Sequence, residues 1–222
     1  MPWGEQTYLR FFPNLTWQSD PQIETVARMA APGTRMLDLG AGGRRIAPDV
    51  IAVDFMPWRG TNLVADVQAL PIRDDAIGVV FATGLLEHVD DDRQVLTEIN
   101  RILGQGGLAH VEVPFLQQYH EDPIDCRRFT AKGLAREMER AGLRTVSAGC
   151  HIGPTVTMIT LAAYYAALLF EGRGLLGRMI STGVFLVTSA LLYPFKFLDR
   201  LLLRKRSAHR LAFGVYCTAR KA

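Results

Sequence analysis

The chain has few cysteines, no metal-type residue spacing and little net charge, and each shortage excludes a class of protein. Its three cysteines, Cys126, Cys150 and Cys217, lie far apart among 222 residues, so a disulfide framework is excluded. Neither they nor the five histidines have the spacing of a zinc site, and we expect no metal. With 25 basic against 22 acidic residues, we expect no nucleic-acid partner.

A secretory signal is also missing. Residues 1–10 contain no apolar run behind a basic start, which predicts that no signal peptide is present. Together with the scattered cysteines, this favours a cytoplasmic location. Apolar residues form 49% of the chain and charged residues 21%, which excludes an intrinsically disordered protein.

Short apolar runs alternate with helical patterns over the first two-thirds of the chain. The runs that predict strands are Met36–Leu39, Val50–Val53, Val79–Ala82, Ala109–Val113 and Thr145–Ala148, with a weaker candidate at Asn62–Val64. Helices are predicted from Asp20 to Ala31, from Asp91 to Leu103 and from Thr130 to Gly142. This alternation is typical of an α/β protein with a parallel sheet covered on both faces.

The chain returns to a strand pattern at its end, after a long apolar stretch. Residues 212–219 alternate apolar with smaller or polar side chains and predict a last strand. Before it lie two apolar segments, Ile152–Phe170 and Met179–Phe195. Each is near the lower limit of the roughly 17–25 residues that cross a bilayer. We therefore predict an apolar helical hairpin inserted before the last strand.

A basic segment follows this hairpin. Residues 196–210 contain six basic side chains and one acidic side chain. Basic residues beside apolar helices favour contact with anionic lipid on the cytoplasmic side of a membrane. The alternative is a helical cap buried on the protein itself or in a dimer. We predict a first domain of residues 1–150 plus 207–222, and a membrane-associated segment of residues 151–206.

Acidic residues and glycine turns follow the predicted strands in a fixed order. These signals are Asp38 with the turn Gly40–Gly43, then Asp54, then Asp66, then Glu87 with His88, and last the turn Gly104–Gly107. Ligands of open α/β sheets bind at the carboxyl ends of the strands. The order therefore predicts one ligand site along that edge of the sheet.

The order of these signals resembles the class I S-adenosylmethionine-dependent methyltransferases, in the branch with the pattern DLGAG, LPxxD, LEH and GG. The resemblance covers residues 35–113. It implies a Rossmann-like, mostly parallel, seven-stranded sheet in three α/β/α layers. It also implies an enzyme that transfers a methyl group from S-adenosylmethionine bound at the carboxyl edge.

Carried over by position, the resemblance assigns residues to each part of the cofactor. The assigned residues are Asp38, Gly40 and Gly42 at the methionine end, Asp54 at the ribose, and Asp66 with Val67 at the adenine. Glu87 and His88 would lie beside the reacting methyl group. The sequence departs from the pattern at Arg44, where a third glycine is expected, and only residues 40–49 link the first two strands. A nicotinamide dinucleotide and a non-catalytic cofactor-binding relative remain as alternatives.

A second polar cluster follows the fifth predicted strand. It contains Tyr119, His120, Asp125 and Arg128, and resembles a bacterial subgroup with the loop P-F-x-x-x-Y-H-x-x-P-x-D-x-x-R-F/Y-T. His120 is predicted to be a general base for a hydroxyl acceptor, oriented by Asp125, and His88 is a further catalytic candidate. In the alternative, Asp125 and Arg128 only hold the loop closed. We expect a small-molecule or lipid-linked acceptor, such as a lipid-linked sugar or a quinone-type ring.

Overall fold

The computed structural model describes residues 21–121 and 123–222, so the predicted N-cap Asp20 lies outside it. The described chain divides into two compact units. The sheet unit contains residues 21–115, 119–151 without 122, and 214–222. The hairpin unit contains residues 116–118 and 152–213.

The sheet unit is built on seven strands, most of them parallel. They are β1 Met36–Leu39, β2 Val50–Asp54, β3 Leu63–Val64, β4 Ile77–Thr83, β5 Leu103–Pro114, β6 Leu143–Ile152 and β7 Gly214–Lys221. Their order across the sheet is β3-β2-β1-β4-β5-β7-β6. Strands β3, β2, β1, β4 and β5 pair in parallel, and β7 is antiparallel to β5. The predicted Rossmann-like sheet is confirmed, with the last strand formed by the end of the chain.

Three helices accompany the sheet: α1 Pro21–Met29, α2 Asp92–Ile102 and α3 Ala131–Arg140. Two of them begin directly after the predicted start residues, Asp91 and Thr130. The Asp91 carboxylate accepts bonds from the backbone N–H groups of Arg93 and Gln94, and the Thr130 hydroxyl accepts one from Gly133. Their apolar faces pack against the strands. One core cluster contains Phe81 with Val50, Val79 and Leu108 of the sheet and Val26 of α1.

The first connection between strands contains no helix. Residues 40–49 form turns, as the short spacing indicates. The backbone N–H groups of Gly40 and Ala41 both donate to the carbonyl of Val53, at 2.9 and 3.2 Å. The turn is therefore fastened to the end of β2, and the residues after β1 are held at the carboxyl edge of the sheet.

The strand limits differ most from the sequence predictions at β5 and β6. The glycine turn predicted at residues 104–107 lies inside β5, which begins at Leu103. Gly106 adopts a φ of +75° there, and the register between β4 and β5 shifts between Ile77 and Val79. A bulge thus absorbs the glycines without ending the strand, which the local pattern does not distinguish from a turn. Strand β6 is also longer than predicted and ends at Ile152.

The hairpin unit consists mainly of two apolar helices, α4 Pro154–Leu169 and α5 Gly174–Leu192. The Ser181 hydroxyl donates to the carbonyl of Ala167, and the ring of Phe185 packs on that of Tyr164. Because these pairs run in opposite directions along the chain, the helices are antiparallel. A 3-10 turn at 193–198, the short helix α6 Asp199–Leu202 and a second 3-10 turn at 208–211 complete the unit.

The outer surface of the hairpin unit is strongly apolar. Its most exposed large apolar side chains include Leu168, Leu169, Leu175, Leu176 and Leu191. Among the described residues, the helical run Gly174–Leu202 is the one long and apolar enough to cross a membrane, with mean hydropathy 1.7 and 11% of its window buried. Length and composition alone support this, and α4 is shorter.

Candidate functional site

The glycine turn after β1 opens one end of the candidate site. Gly40 and Gly42 have φ angles of +69° and +57°, which residues with a Cβ atom rarely adopt. A Cβ atom on Gly40 would lie 2.7 Å from Leu85 Cδ1, so only glycine fits there. A Cβ on Gly42 would meet nothing within 4 Å. The turn therefore leaves open space at the carboxyl end of β1.

Asp38 is a buried acid at this end of β1. It is 1% exposed, and neither carboxylate oxygen has a hydrogen-bond partner within the described chain. Burial raises the pKa of Asp38 to about 7, against the lowering effect of the Arg44 guanidinium. A buried carboxylate without donors is costly, and this one would gain from a cationic or hydrogen-bonding ligand.

Arg44 is a site residue whose role the pattern did not predict. It occupies the place of the expected third glycine, and its guanidinium donates to the Thr83 hydroxyl at the end of β4. Its charge also acts on Asp38. The departure from the glycine pattern thus brings a cation beside the buried acid. In the sequence, the mismatch between Arg44 and the expected glycine was the signal that could have indicated this role.

Asp54 at the end of β2 fastens the glycine turn. Its Oδ2 accepts a bond of 2.8 Å from the backbone N–H of Gly42, and its Oδ1 accepts one of 2.9 Å from Met56. Each carboxylate oxygen can accept a second bond. Asp54 therefore organises the turn and retains acceptor capacity for the hydroxyls of a ribose.

The predicted adenine contacts follow β3. Asp66 is exposed, and its Oδ1 accepts a bond of 2.8 Å from the backbone N–H of Gln68. Val67 is buried. The pair combines a polar acceptor with an apolar side chain in one short turn, as an aromatic base with polar edges requires.

Glu87 and His88 form a 3-10 turn after β4. Glu87 is 2% exposed, and its Oε2 has no partner within the described chain. Its Oε1 lies 3.7 Å from His88 Nε2. Burial raises the pKa of Glu87 to about 7, although its own backbone hydrogen bond and the nearby His88 and Arg128 oppose the shift. The His88 ring is held by a hydrogen bond between Nδ1 and the carbonyl of Ile124.

The second polar cluster is brought together by Asp125. Its carboxylate forms a two-pronged ion pair with Arg128, and its Oδ2 lies 3.3 Å from His120 Nδ1. Hydrogen bonding from Arg128 lowers the pKa of Asp125 to about 2, and the backbone N–H of His120 adds a bond of 2.7 Å. Asp125 thus orients His120 and holds the loop closed at once. Tyr119 is exposed and donates to Glu121.

The two clusters meet along one edge of the sheet unit. The ring centroids of His88 and His120 lie 5.0 Å apart at an interplanar angle of 88°. The backbone N–H of Cys126 donates to the carbonyl of Glu87, and Leu85 abuts Gly40. One ligand atom from each of Glu87, His88 and His120 falls within 4.8 Å of the others. Local spacing could not predict this group, because the loop after β5 supplies its third member.

Comparisons with known proteins agree with this geometry. Residues 43–111 match the model of a methyltransferase-domain family. The fold matches an S-adenosylmethionine-dependent methyltransferase, a possible histamine N-methyltransferase, from Thermotoga maritima. The TM-score is 0.56 at 16% identity, over 98% of this chain and 96% of that chain. Residues 43–111 therefore match a methyltransferase domain, and the sheet unit that contains them has the fold of class I methyltransferases.

Two further solved structures resemble the methyltransferase domain. One is 1,6-didemethyltoxoflavin-N1-methyltransferase from Burkholderia thailandensis with S-adenosylhomocysteine, at 15% identity and TM-score 0.56, over 92% of this chain and 78% of that chain. The other is the cyclase SpnF, at 19% identity and TM-score 0.57, over 91% and 80%. These identities establish the fold alone. A search of the curated proteins finds no significant match.

The methyltransferase domain fits S-adenosylmethionine as cofactor. The buried, unpartnered carboxylate of Asp38 suits the ammonium group of the methionine end. The open space beside Gly42 admits a ligand against the backbone. The dinucleotide alternative needs a helix N-terminus after the glycine turn, and residues 40–49 contain no helix.

Proposed function

We propose that this chain is an S-adenosylmethionine-dependent methyltransferase that acts at a membrane surface on a hydroxyl-bearing acceptor, lipid-linked or glycan. The observation that carries the proposal is the Asp38 carboxylate, buried without a partner beside an open glycine turn. In a methyltransferase domain, such a group has an evident ligand in the methionine ammonium.

The charges at the glycine turn complement the methionine end of the donor. Methionine carries an ammonium and a carboxylate, and the turn offers Asp38 and Arg44 to match them. Asp54 retains acceptor capacity for the ribose hydroxyls, and Val67 offers an apolar surface to the adenine. Arg44 thus compensates for the missing third glycine: it supplies a side-chain donor at a turn that is one glycine short.

The chain's own contribution to the reaction is alignment and proton removal. Bound S-adenosylmethionine supplies an electrophilic methyl group on a sulfonium that leaves neutral, so no general acid is needed. The residues of the edge hold the reactants in line and exclude water. For a hydroxyl acceptor, His120 would remove the proton, with its ring oriented by Asp125.

The hairpin unit supports the choice of a membrane surface. Its exposed leucines, such as Leu175 at 76% and Leu176 at 71%, give it an apolar surface of the kind that marks membrane or protein interaction sites. The basic residues after α5 add attraction to anionic lipid, about 1 kcal/mol for each residue near the surface. A lipid-linked sugar is therefore the acceptor class we favour. A quinone or phenol is the alternative, since the toxoflavin enzyme with the same fold acts on a small ring compound.

Calorimetry with S-adenosylmethionine tests the cofactor assignment. We expect binding on the order of micromolar for the natural chain, and a loss of about tenfold or more in Asp38→Asn and Asp54→Ala, since each removes a charge-assisted bond. Asp90→Asn, which removes an exposed carboxylate of the same unit, should bind as the natural chain does. Equal binding by all four proteins would contradict the assignment.

Vesicle sedimentation tests the membrane surface. The natural chain should sediment with anionic vesicles, and a Leu175→Glu, Leu176→Glu double variant should stay in solution, because both side chains are exposed in the hairpin unit. A Val64→Glu variant, exposed in the sheet unit, is the matched control. Incubation of the protein with labelled methyl donor and a total lipid extract then separates acceptors. Label in a quinone or phenol fraction selects the alternative, and binding without any transfer indicates a non-catalytic relative.

A further inference from the structure

We propose that Glu87, His88 and His120 bind a divalent transition-metal ion, with zinc as the type. One ligand atom from each of the three side chains lies within 4.8 Å of the other two. Two imidazoles with one carboxylate form the ligand set of many catalytic zinc sites. All three residues belong to the sheet unit.

The separation of Glu87 from His88 is close to that expected between two ligands of one metal ion. Ligand atoms about 2.1 Å from a tetrahedral zinc lie about 3.4 Å from each other. Glu87 Oε1 and His88 Nε2 are 3.7 Å apart. A movement of one side chain by a few tenths of an ångström would bring these two atoms to that separation. The rings of His88 and His120 meet edge to face, with their centroids 5.0 Å apart.

The buried carboxylate supplies an independent argument for a cation. Glu87 Oε2 is buried and has no hydrogen-bond partner within the described chain. The nearest positive side chain on the loop, Arg128, is already paired with Asp125. An ion that Glu87 binds through both carboxylate oxygens would give the orphaned Oε2 a partner and offset the cost of burying the charge.

Both histidines have the outer partners that accompany metal ligands. His88 Nδ1 bonds to the carbonyl of Ile124, and His120 Nδ1 lies 3.3 Å from Asp125 Oδ2. A metal-bound histidine almost always has its other ring nitrogen on a carbonyl or a carboxylate. In this arrangement Nε2 of each ring is the ligand atom. Three protein ligands leave at least one coordination position open, the property that separates catalytic from structural zinc sites.

Zinc titration of the full chain tests the proposal. We expect one ion per chain, and binding weaker by about 100-fold in Glu87→Gln and in His120→Gln, with about a tenfold loss in Asp125→Asn through the orientation of His120. His209→Gln removes an exposed histidine of the hairpin unit and should bind as the natural chain does. Thermal unfolding of each metal-free variant shows that lost binding does not come from lost folding.

Substitution with cobalt identifies the ligands, because Cys126 is an exposed thiol on the same loop. We expect a cobalt spectrum without a thiolate charge-transfer band, unchanged by Cys126→Ser. Absence of zinc binding by the natural chain would overturn the proposal, and so would binding that is retained in Glu87→Gln but lost in Cys126→Ser. A metal on Nε2 of His120 would block the proton removal proposed for that ring, so the metal site is an alternative use of His120, and calorimetry of the metal-free chain with S-adenosylmethionine tests the proposed function separately.

Discussion

The sheet unit and the hairpin unit use apolar side chains in opposite ways. In the sheet unit the large apolar residues lie between layers, and Phe81 at the centre of β4 is fully buried. In the hairpin unit Leu175 and Leu176 are 76% and 71% exposed. Similar apolar side chains therefore build a core in one unit and an exposed surface in the other.

The two units also treat their buried acids differently. Asp199 in the hairpin unit is fully buried, yet its two oxygens accept bonds from the backbone N–H groups of Thr155 and Val156 and cap α4. Asp38 in the sheet unit is buried without any such donor. One carboxylate supports the fold, and the other is available to a ligand. Partners, more than burial, thus separate a structural acid from a binding acid.

The largest expected effect comes from the core of the sheet unit. Phe81→Ala should lower the free energy of unfolding by about 3–5 kcal/mol, because it removes a buried ring and leaves a cavity among well-packed neighbours. Leu176→Ala, a large apolar residue of the hairpin unit, should change it by less than about 0.5 kcal/mol in buffer. Urea unfolding of both variants makes the comparison. Similar losses would mean that Leu176 is covered in solution and that the contrast between the units is false.

The cap of α4 gives the next largest effect. Asp199→Ala should cost about 2 kcal/mol, because two buried N–H groups at the helix start lose their acceptors. Asp199→Asn keeps one amide oxygen as an acceptor and should cost less. Thermal unfolding of the two variants ranks them. If the Asp199→Ala variant were as stable as the Asp199→Asn variant, the hydrogen bonds of Asp199 would contribute little, and the contrast with Asp38 would disappear.

Much of the sheet unit was predictable because its signals are local. Strand β1, the helix that starts after Asp91 and the cap Thr130 depend on periodicity and on neighbours a few residues away. The start of β5 was not predictable, since a glycine bulge and a glycine turn share one composition. The hairpin was predicted from its apolar length, although the sequence alone does not determine what covers it.

The site was predictable as a set of residues more than as a set of roles. Asp38 and Asp54 both end strands and look equivalent in sequence. Only the structure shows that Asp54 is occupied by backbone donors while Asp38 has none. The meeting of His88 with His120 depends on how the loop after β5 folds back to β4, which no local pattern encodes.

The smallest expected effect depends on pH and concerns Asp38 itself. Its pKa in the folded chain is raised from 3.8 to about 7, so between these values the folded state binds more protons than the unfolded state. The contribution of Asp38 to the free energy of unfolding is therefore fully present below about pH 4 and is lost as the pH rises through about 7. The shift corresponds to at most about 4 kcal/mol, and any relaxation around the charge lowers the pKa in the folded chain and this energy together, to about 1–2 kcal/mol.

Asp38→Asn removes this charge with little change of shape. Without donor present, the variant should be as stable as the natural chain at pH 4 and more stable by about 1–2 kcal/mol at pH 8, measured by urea unfolding. Asp90→Asn should show no such gain between the two pH values, since its carboxylate is exposed. A stability difference between variant and natural chain that is the same at both pH values would show that the pKa of Asp38 is not raised in the folded chain. Some group of the folded chain would then already stabilise the charge of Asp38, as backbone N–H groups stabilise that of Asp199. The argument that Asp38 binds a ligand would then fail.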